Sequence, residues 1–318
     1  MRPPLDAKEV AMLTYVELSR NARDFLAMTG YTVKEFHTLL EYFRTAFLTW
    51  VVSATLTGKP RIGKAYSPYS TCPLLTMEDK LLFILVYLKQ YPTQTLLGQL
   101  FGMSQSIANV WIHRLHPLVN RALAEAHELP ARDVAELSFE METETVFFHD
   151  ATERPIPRPT DPDLQKTCYS GKKKRHTQKH NLLSNAGCKI RFLSKSWPGS
   201  RHDKRIADEE AYSVPEGSTL YQDTGFEGFS LNGVRIIQPK KKPRGKPLTA
   251  AEKAENRRIS SIRVRIEHVI GGVKRYRIIK DIIRNWKAGF RDRVMETCCG
   301  LHNFRLNFRP WTYPVLLS

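Results

Sequence analysis

The chain of 318 residues carries 49 Lys and Arg against 32 Asp and Glu, a net charge of +17, with 42% hydrophobic residues. That apolar content fills one large core or two moderate ones and excludes general disorder, while the basic excess makes a polyanion the first partner to expect. Five cysteines without CxxC spacing exclude a disulfide scaffold and a ribbon-type zinc site, and the longest apolar run, Leu81 to Leu88, falls far short of the roughly 20 residues that span a bilayer.

The N-terminal segment Met1 to Asp6 lacks the apolar core of a signal peptide, so a reducing intracellular setting without a membrane is expected. The charge is uneven: residues 136–318 hold 35 basic and 21 acidic side chains, so most of the positive charge belongs to the second half. A one-sided excess of this kind favours phosphate contacts over a solubility role.

Two domains are expected, residues 1–135 and 136–318. Apolar residues Leu18, Phe25, Leu26, Phe36, Leu39, Leu40 and Phe43 recur at helical spacing in the first sixty positions. Thr76 and Asp79 form a capping-box start for a buried helix carrying Leu81, Leu82, Leu85, Val86 and Leu88, which ends before Tyr91-Pro92. Thr93 starts a short helix with Leu96, Leu97 and Leu100, Gly102 turns the chain, and Ser104 starts a third helix whose core stripe is predicted as Ile107, Val110, Trp111 and Leu115. Helix, short helix, glycine turn and helix is the helix-turn-helix pattern, here spanning about residues 74–118. Gln105, Ser106, Asn109 and Arg114 would face the major groove. An ordinary three-helix packing unit gives the same pattern.

From about residue 136 the period changes to that of strands: Thr145 to Asp150, Lys179 to Ser184, Lys189 to Ser196, Ser218 to Asp223 and Val234 to Gln238. Asn185-Ala186-Gly187 joins the second and third, and a helix starts at His202-Asp203. Two basic loops, containing Lys172, Lys173, Lys174 and Arg175, and Lys240, Lys241 and Lys242, are candidates for phosphate contacts that position DNA without reading it. Thr249 with Glu252 opens a second capping box, and the chain stays helical from about Arg258 to Lys280.

The expected class is therefore α+β: an all-helical N-terminal region, then a mixed sheet. Three antiparallel strands, a helix, a fourth strand and a later long helix match the ribonuclease-H-like order, in which strand four lies parallel to strand one. Asp150 and Asp223 end those two strands. A third acid from the late helix would complete a site for two divalent ions, Mg²⁺ or Mn²⁺, which suit hard carboxylate oxygens and in-line displacement at phosphorus. Glu267 is the candidate, sharing a helix stripe with Arg263, Gly271 and Lys274, opposite a core stripe of Ile262, Ile266, Val269, Ile270 and Val273. Asp203, in the prominent Pro198-Gly-Ser-Arg-His-Asp203 stretch, is the lesser candidate for metal; with Ser200 it is expected to satisfy free N–H groups at a helix start. Cys168, His176, His180 and Cys188 have zinc-ligand chemistry at a spacing that matches no common zinc module, which leaves core cysteines and phosphate-facing histidines.

The ordered stretches His149 to Pro155, Tyr169 to Thr177, Pro198 to Asp203, Tyr221 to Phe226, Asn256, Arg263-x3-Glu267-x6-Lys274 and Leu301-His-Asn303 resemble the motifs of bacterial insertion-sequence DDE transposases. The nearest group is insertion-sequence family five, related to the Harbinger elements, and the resemblance runs from about residue 74 to the end. It implies a catalytic triad of Asp150, Asp223 and Glu267, with Arg263 and Lys274 contacting DNA near the cut. It also implies cleavage at terminal inverted repeats, strand transfer into target DNA, a homo-oligomer on paired ends and a cytoplasmic, nucleoid-associated bacterial protein. Ser260 departs from the family, which often has Tyr there. Two other readings remain: a transposase-derived DNA-binding regulator without activity, and a ribonuclease-H-like nuclease that cuts without transfer.

Overall fold

Threonine, asparagine and serine caps start the helices of the first unit in the computed structural model, which describes residues 12–55, 58–63, 65–67, 72–133, 135–137, 144–285 and 287–313. Met1 to Asp6 lies outside the described residues. The chain divides into two compact units, Met1–Glu125 and Ala126–Ser318.

The first unit holds α1 (Tyr15–Leu18), α2 (Ala22–Thr29), α3 (Val33–Ser53), α4 (Met77–Gln90), α5 (Gln94–Leu100) and α6 (Gln105–Glu125). Thr32 and Glu35 make a full reciprocal capping box at the start of α3. Thr76 and Asp79 make only half of one: Thr76 accepts from the Asp79 N–H (3.0 Å), but the Asp79 carboxylate accepts instead from the Thr76 hydroxyl (2.7 Å) and the Tyr15 N–H (2.8 Å). The shorter side chain thereby ties α1 to α4. Every residue from Lys80 to Leu88 is buried, and the Lys80 ammonium tolerates this by donating to the carbonyls of Leu74 (2.5 Å) and Leu75 (3.1 Å).

Thr93 and Ser104 cap α5 and α6 as the sequence predicts, accepting from the N–H groups of Leu96 (3.2 Å) and Ile107 (3.3 Å), and Gly102 turns between them at φ +64°. The core stripe of α6 differs from the expected one. Ala108, Trp111, Ile112 and Leu115 are buried, whereas Ile107 and Val110 are exposed. Both stripes share Trp111 and Leu115, and the fit against α3, α4 and α5 selects the flank bearing the smaller Ala108.

The second unit is a seven-stranded mixed sheet with helices. Its elements are β1 (Val146–Pro155), α7 (Pro162–Cys168), β2 (Tyr169–Ser170), β3 (Arg175–Asn185), β4 (Ile190–Leu193), β5 (Trp197–Pro198), α8 (Asp203–Glu210), β6 (Thr219–Gln222), β7 (Arg235–Ile237), α9 (Ala250–Lys274), α10 (Arg277–Lys280) and α11 (Phe290–Leu306). The path is β2-β3-β1-β6-β7, with β4 and β5 also paired to β3. β1 runs antiparallel to β3 and parallel to β6, and β6 runs parallel to β7. At the β3–β4 turn the residue with positive φ is Cys188 (+66°) rather than Gly187, held by the Asn185 side chain accepting from the Lys189 N–H (2.9 Å).

Phe147, Leu183, Phe192, Tyr212, Leu220 and Phe226 form the core beneath the sheet. The Thr249–Glu252 box is complete, so α9 begins eight residues before the predicted Arg258 and stops at Lys274, ahead of the short α10. Its buried face adds Ile259 and two arginines, Arg263 and Arg265, to Ile266, Val269 and Val273; Ile262 and Ile270 are only partly buried.

Candidate active site and nucleic-acid interface

In the parallel ladder His149 lies opposite Gln222, so Asp150 and Asp223 follow one step further on two adjacent strands. Asp223 lies just past the end of β6 as expected, whereas β1 does not end at Asp150 but runs on to Pro155, because β3 keeps pairing with it. Both carboxylates turn back onto the backbone: Asp150 accepts from the Ala151 N–H (2.7 Å), and Asp223 from the Thr224 N–H (2.8 Å), where it starts a 3₁₀ turn. His149, between the core and the site, is fully buried, hydrogen-bonded to the Tyr212 hydroxyl and packed on Phe226 (ring centroids 3.7 Å). Burial pushes its pKa down to about 3, which keeps it neutral and structural.

Desolvation, together with the charges of Asp223 and Asp203, pushes the Asp150 carboxyl up to about 6, against the lowering by the Ala151 N–H and the Arg263 guanidinium. A desolvated carboxylate next to the charge of Asp223 has the oxygen chemistry that a hard divalent cation takes, and a cation's charge would offset the burial. The proton on Asp150 is held more tightly in the folded chain than in the unfolded one. That contribution to stability is complete below about pH 4 and is lost as the pH rises through about 6. Asp150→Asn should therefore stabilise the metal-free protein at about pH 8 by up to roughly 3 kcal/mol and leave it unchanged at about pH 4. Equal melting temperatures of parent and variant at the higher pH, in chelator, would show that this carboxylate is not strained by burial.

Arg263 is buried and its Nη1 lies 3.6 Å from Asp223 Oδ1, so it faces an acid of the site. Lys274, two turns on from Glu267, lies where Asp150 and Glu153 raise its pKa, outweighed by burial and by Lys173 of the basic loop. Lys172, Lys173, Lys174 and Arg175 are all exposed. The second basic loop is partly neutralised: Lys240 pairs with Glu252, Lys241 with Glu227 (2.9 Å), and Asn256 grips the Lys240 backbone through both its amide atoms (2.7 and 2.9 Å), while Lys242 is exposed. Asn256 is thus a loop anchor.

Glu267 is exposed, one turn beyond Arg263, and it lines an open groove of about 630 Å³ with His268, Gly271, Arg275 and the segment from Pro310 to Tyr313. Among the described residues no three His, Cys, Asp or Glu side chains converge as a metal site. The structure thus brings Asp150, Asp223 and Asp203 into one electrostatic neighbourhood and does not bring Glu267 into it; Glu267 lines a groove to which none of the three aspartates contributes. Gly271 has open space around it. Gly272 is the glycine of close approach, since a Cβ there would meet His302 Nδ1 at 2.4 Å.

Asp203 does not cap its helix. The N-cap of α8 is His202 and no side chain bonds the free N–H groups. The Asp203 carboxylate lies 2.9 Å from the Lys179 ammonium, which is also 3.7 Å from Glu153 and donates to the Arg201 carbonyl (2.7 Å). A buried ammonium on β3 needs counter-charges, and this need outweighs a capping bond. Gly199 serves the same motif, because a Cβ there would meet Thr177 Oγ1 at 2.0 Å and the Cys168 carbonyl at 3.0 Å. Lys179 and Glu153 were not among the expected site residues. Their signal is the ladder register, which sets Glu153 opposite Lys179.

His180 is not phosphate-facing. It is fully buried, bonds the Ser194 carbonyl (3.1 Å) and Ser196 Oγ (3.2 Å), and its pKa is pushed down to about 3, mainly by desolvation. Cys168 and Cys188 are buried thiols. The Leu301-His-Asn303 stretch is structural as well: His302 donates to the Cys188 carbonyl (3.1 Å), and Asn303 bonds the Ile190 N–H (2.8 Å) and carbonyl (2.9 Å) and the Glu128 carbonyl (3.0 Å).

On α6, Gln105 and Ser106 are exposed and Asn109 is half-buried; Gln105 donates to Gln94 Oε1 (2.5 Å), joining the starts of α5 and α6. Arg114 lies over the Trp111 ring at 5.4 Å, and burial lowers its pKa. No helix among the described residues is long and apolar enough to cross a membrane.

A mixed sheet with aspartates side by side on adjacent parallel strands, in a chain that also carries a helix-turn-helix, defines a DNA-processing endonuclease. Residues 149–303 match the DDE superfamily endonuclease family, and residues 72–125 match the helix-turn-helix of DDE superfamily endonucleases. A protein of Microchaete diplosiphon named as a transposase for an insertion sequence element is 26% identical over 287 residues, 90% of this chain and 95% of its own length. One of Streptomyces albus G, named likewise, is 26% identical over 210 residues, 65% of this chain and 72% of its own. No solved structure matches the chain. The chain belongs to the DDE superfamily, as an insertion-sequence transposase with a helix-turn-helix. Members of this superfamily use divalent metal ions.

Proposed function

We propose that the chain binds the terminal inverted repeats of its own element, a member of insertion-sequence family five, cuts the DNA at their ends and joins the freed 3′-hydroxyls to target DNA. The observation that carries this is the parallel pairing of β1 with β6, which sets Asp150 beside Asp223, both within the matched endonuclease region. Asp150, Asp223 and Glu267 would hold two Mg²⁺ or Mn²⁺ ions. Such ions supply activation of the attacking oxygen and neutralisation of charge on the leaving one, and the same in-line geometry serves cutting and joining. Asp150 and Asp223 orient their oxygens through the neighbouring N–H groups. Arg263 and Lys274 balance the acidic charge until phosphate arrives. Gln105, Ser106, Asn109 and Arg114 would contact base edges, and the two basic loops would contact phosphates. Two copies on paired ends would align both cuts.

The test uses full-length protein, Mg²⁺ and labelled duplexes ending in the repeat that flanks the coding region. Cleavage at the repeat end, and joining of pre-cut ends to a plasmid, are the expected products. Cutting without joining would make the protein a nuclease, and specific binding with neither reaction a regulator.

A further inference from the structure

We propose that Ile107 and Val110 recognise thymine methyl groups, making A·T pairs in the major groove part of the sequence this protein selects. The proposal rests on the reading that α6 enters DNA, and it deepens that reading by naming what its start would recognise. Two β-branched side chains, 45% and 40% exposed, stand three residues apart in the first two turns of α6. Single exposed apolar residues are ordinary on any surface. These two share the outward side of the helix with Ser106 and Arg114, and the N-terminal turns of a recognition helix are the part that meets base edges.

The polar groups near them are already committed in part. The Arg114 guanidinium lies over Trp111, and Gln105 is engaged with Gln94. What the middle of this face offers to a base pair is therefore a pair of methyl-bearing side chains, flanked by Ser106 and Asn109. In the major groove the one apolar group a base presents is the C5-methyl of thymine, and contact with it removes apolar surface from water on both sides. Ser106 and Asn109 would supply the hydrogen bonds that a neighbouring adenine needs.

The experiment takes full-length protein and a duplex it selects from a random-sequence pool, then replaces each thymidine by deoxyuridine, which removes the methyl group and keeps the base pairing. Affinity should fall about fourfold at each contacted position, as for one methyl-sized group lost from contact. For Ile107→Ala and Val110→Ala the replacement should make no further difference at that position, while binding to unrelated DNA stays as in the parent. Unchanged affinity for every deoxyuridine duplex, with selective binding intact, would overturn the proposal and leave the DNA-binding reading standing. So would methyl sensitivity that survives in both variants together with a loss of self-association, which would assign this face to a second copy of the chain. Failure to select any sequence would overturn both.

Discussion

Replacing Asp150 or Asp223 by Asn, or Glu267 by Gln, should lower Mg²⁺-dependent cutting by more than about a hundredfold. Loss of a residue that merely supports a metal ligand already costs about ten- to a hundredfold, and a lost ligand costs more. The amide keeps the shape and removes the charge, so folding and DNA affinity should persist when measured with Ca²⁺. The informative contrast is Asp203→Asn. Asp203 is bound to Lys179, which retains Glu153 as a second counter-charge. That variant should keep measurable cutting and lose stability instead. If Glu267→Gln cuts like the parent while Asp203→Asn is folded and inert, the third acid is the one whose charge acts on Asp150, namely Asp203, and Glu267 belongs to the groove it lines.

Asn303→Leu should reduce stability to unfolding by about 3 kcal/mol or more, because it orphans three backbone groups, the Ile190 N–H and carbonyl and the Glu128 carbonyl, each costing about 1 to 3 kcal/mol when buried without a partner. Denaturant titration at fixed pH reads the change. Cutting per folded molecule should stay close to the parent's, since Asn303 joins α11 to β4 and touches neither aspartate. A variant of unchanged stability with abolished cutting would place Asn303 in the chemistry and remove its structural role.

Much of the molecule was legible in the sequence because the signals were local. Thr93, Ser104 and Thr249 start helices by accepting from N–H groups three residues on, and Gly102 makes its turn through its own φ. The order of strand, hairpin, helix and strand put Asp150 and Asp223 on strands one and four, and the parallel pairing of those strands sets them side by side, although β1 continues past Asp150 to Pro155 because of its pairing with the distant β3. Such features depend on residues a few positions apart, so composition and spacing carry them.

The tertiary structure decided what depends on partners distant in the chain. Trp111 and Leu115 fit two possible core stripes of α6, and only the surrounding helices chose Ala108 and Ile112 over Ile107 and Val110. Periodicity fixes which residues share a face, but packing volume fixes which face turns inward. Lys179 could be paired only once the β1–β3 register set it against Glu153 and the following helix brought Asp203 to it. The same holds for Asn303, quoted in the sequence only as part of a motif, whose three partners lie 113 and 175 positions away. Glu267 shows the limit most plainly. Its helix stripe is fixed by sequence, yet whether its carboxylate joins the aspartates or lines the groove with Tyr313 depends on the placement of α9 against the sheet and the C-terminal segment, which no local rule contains.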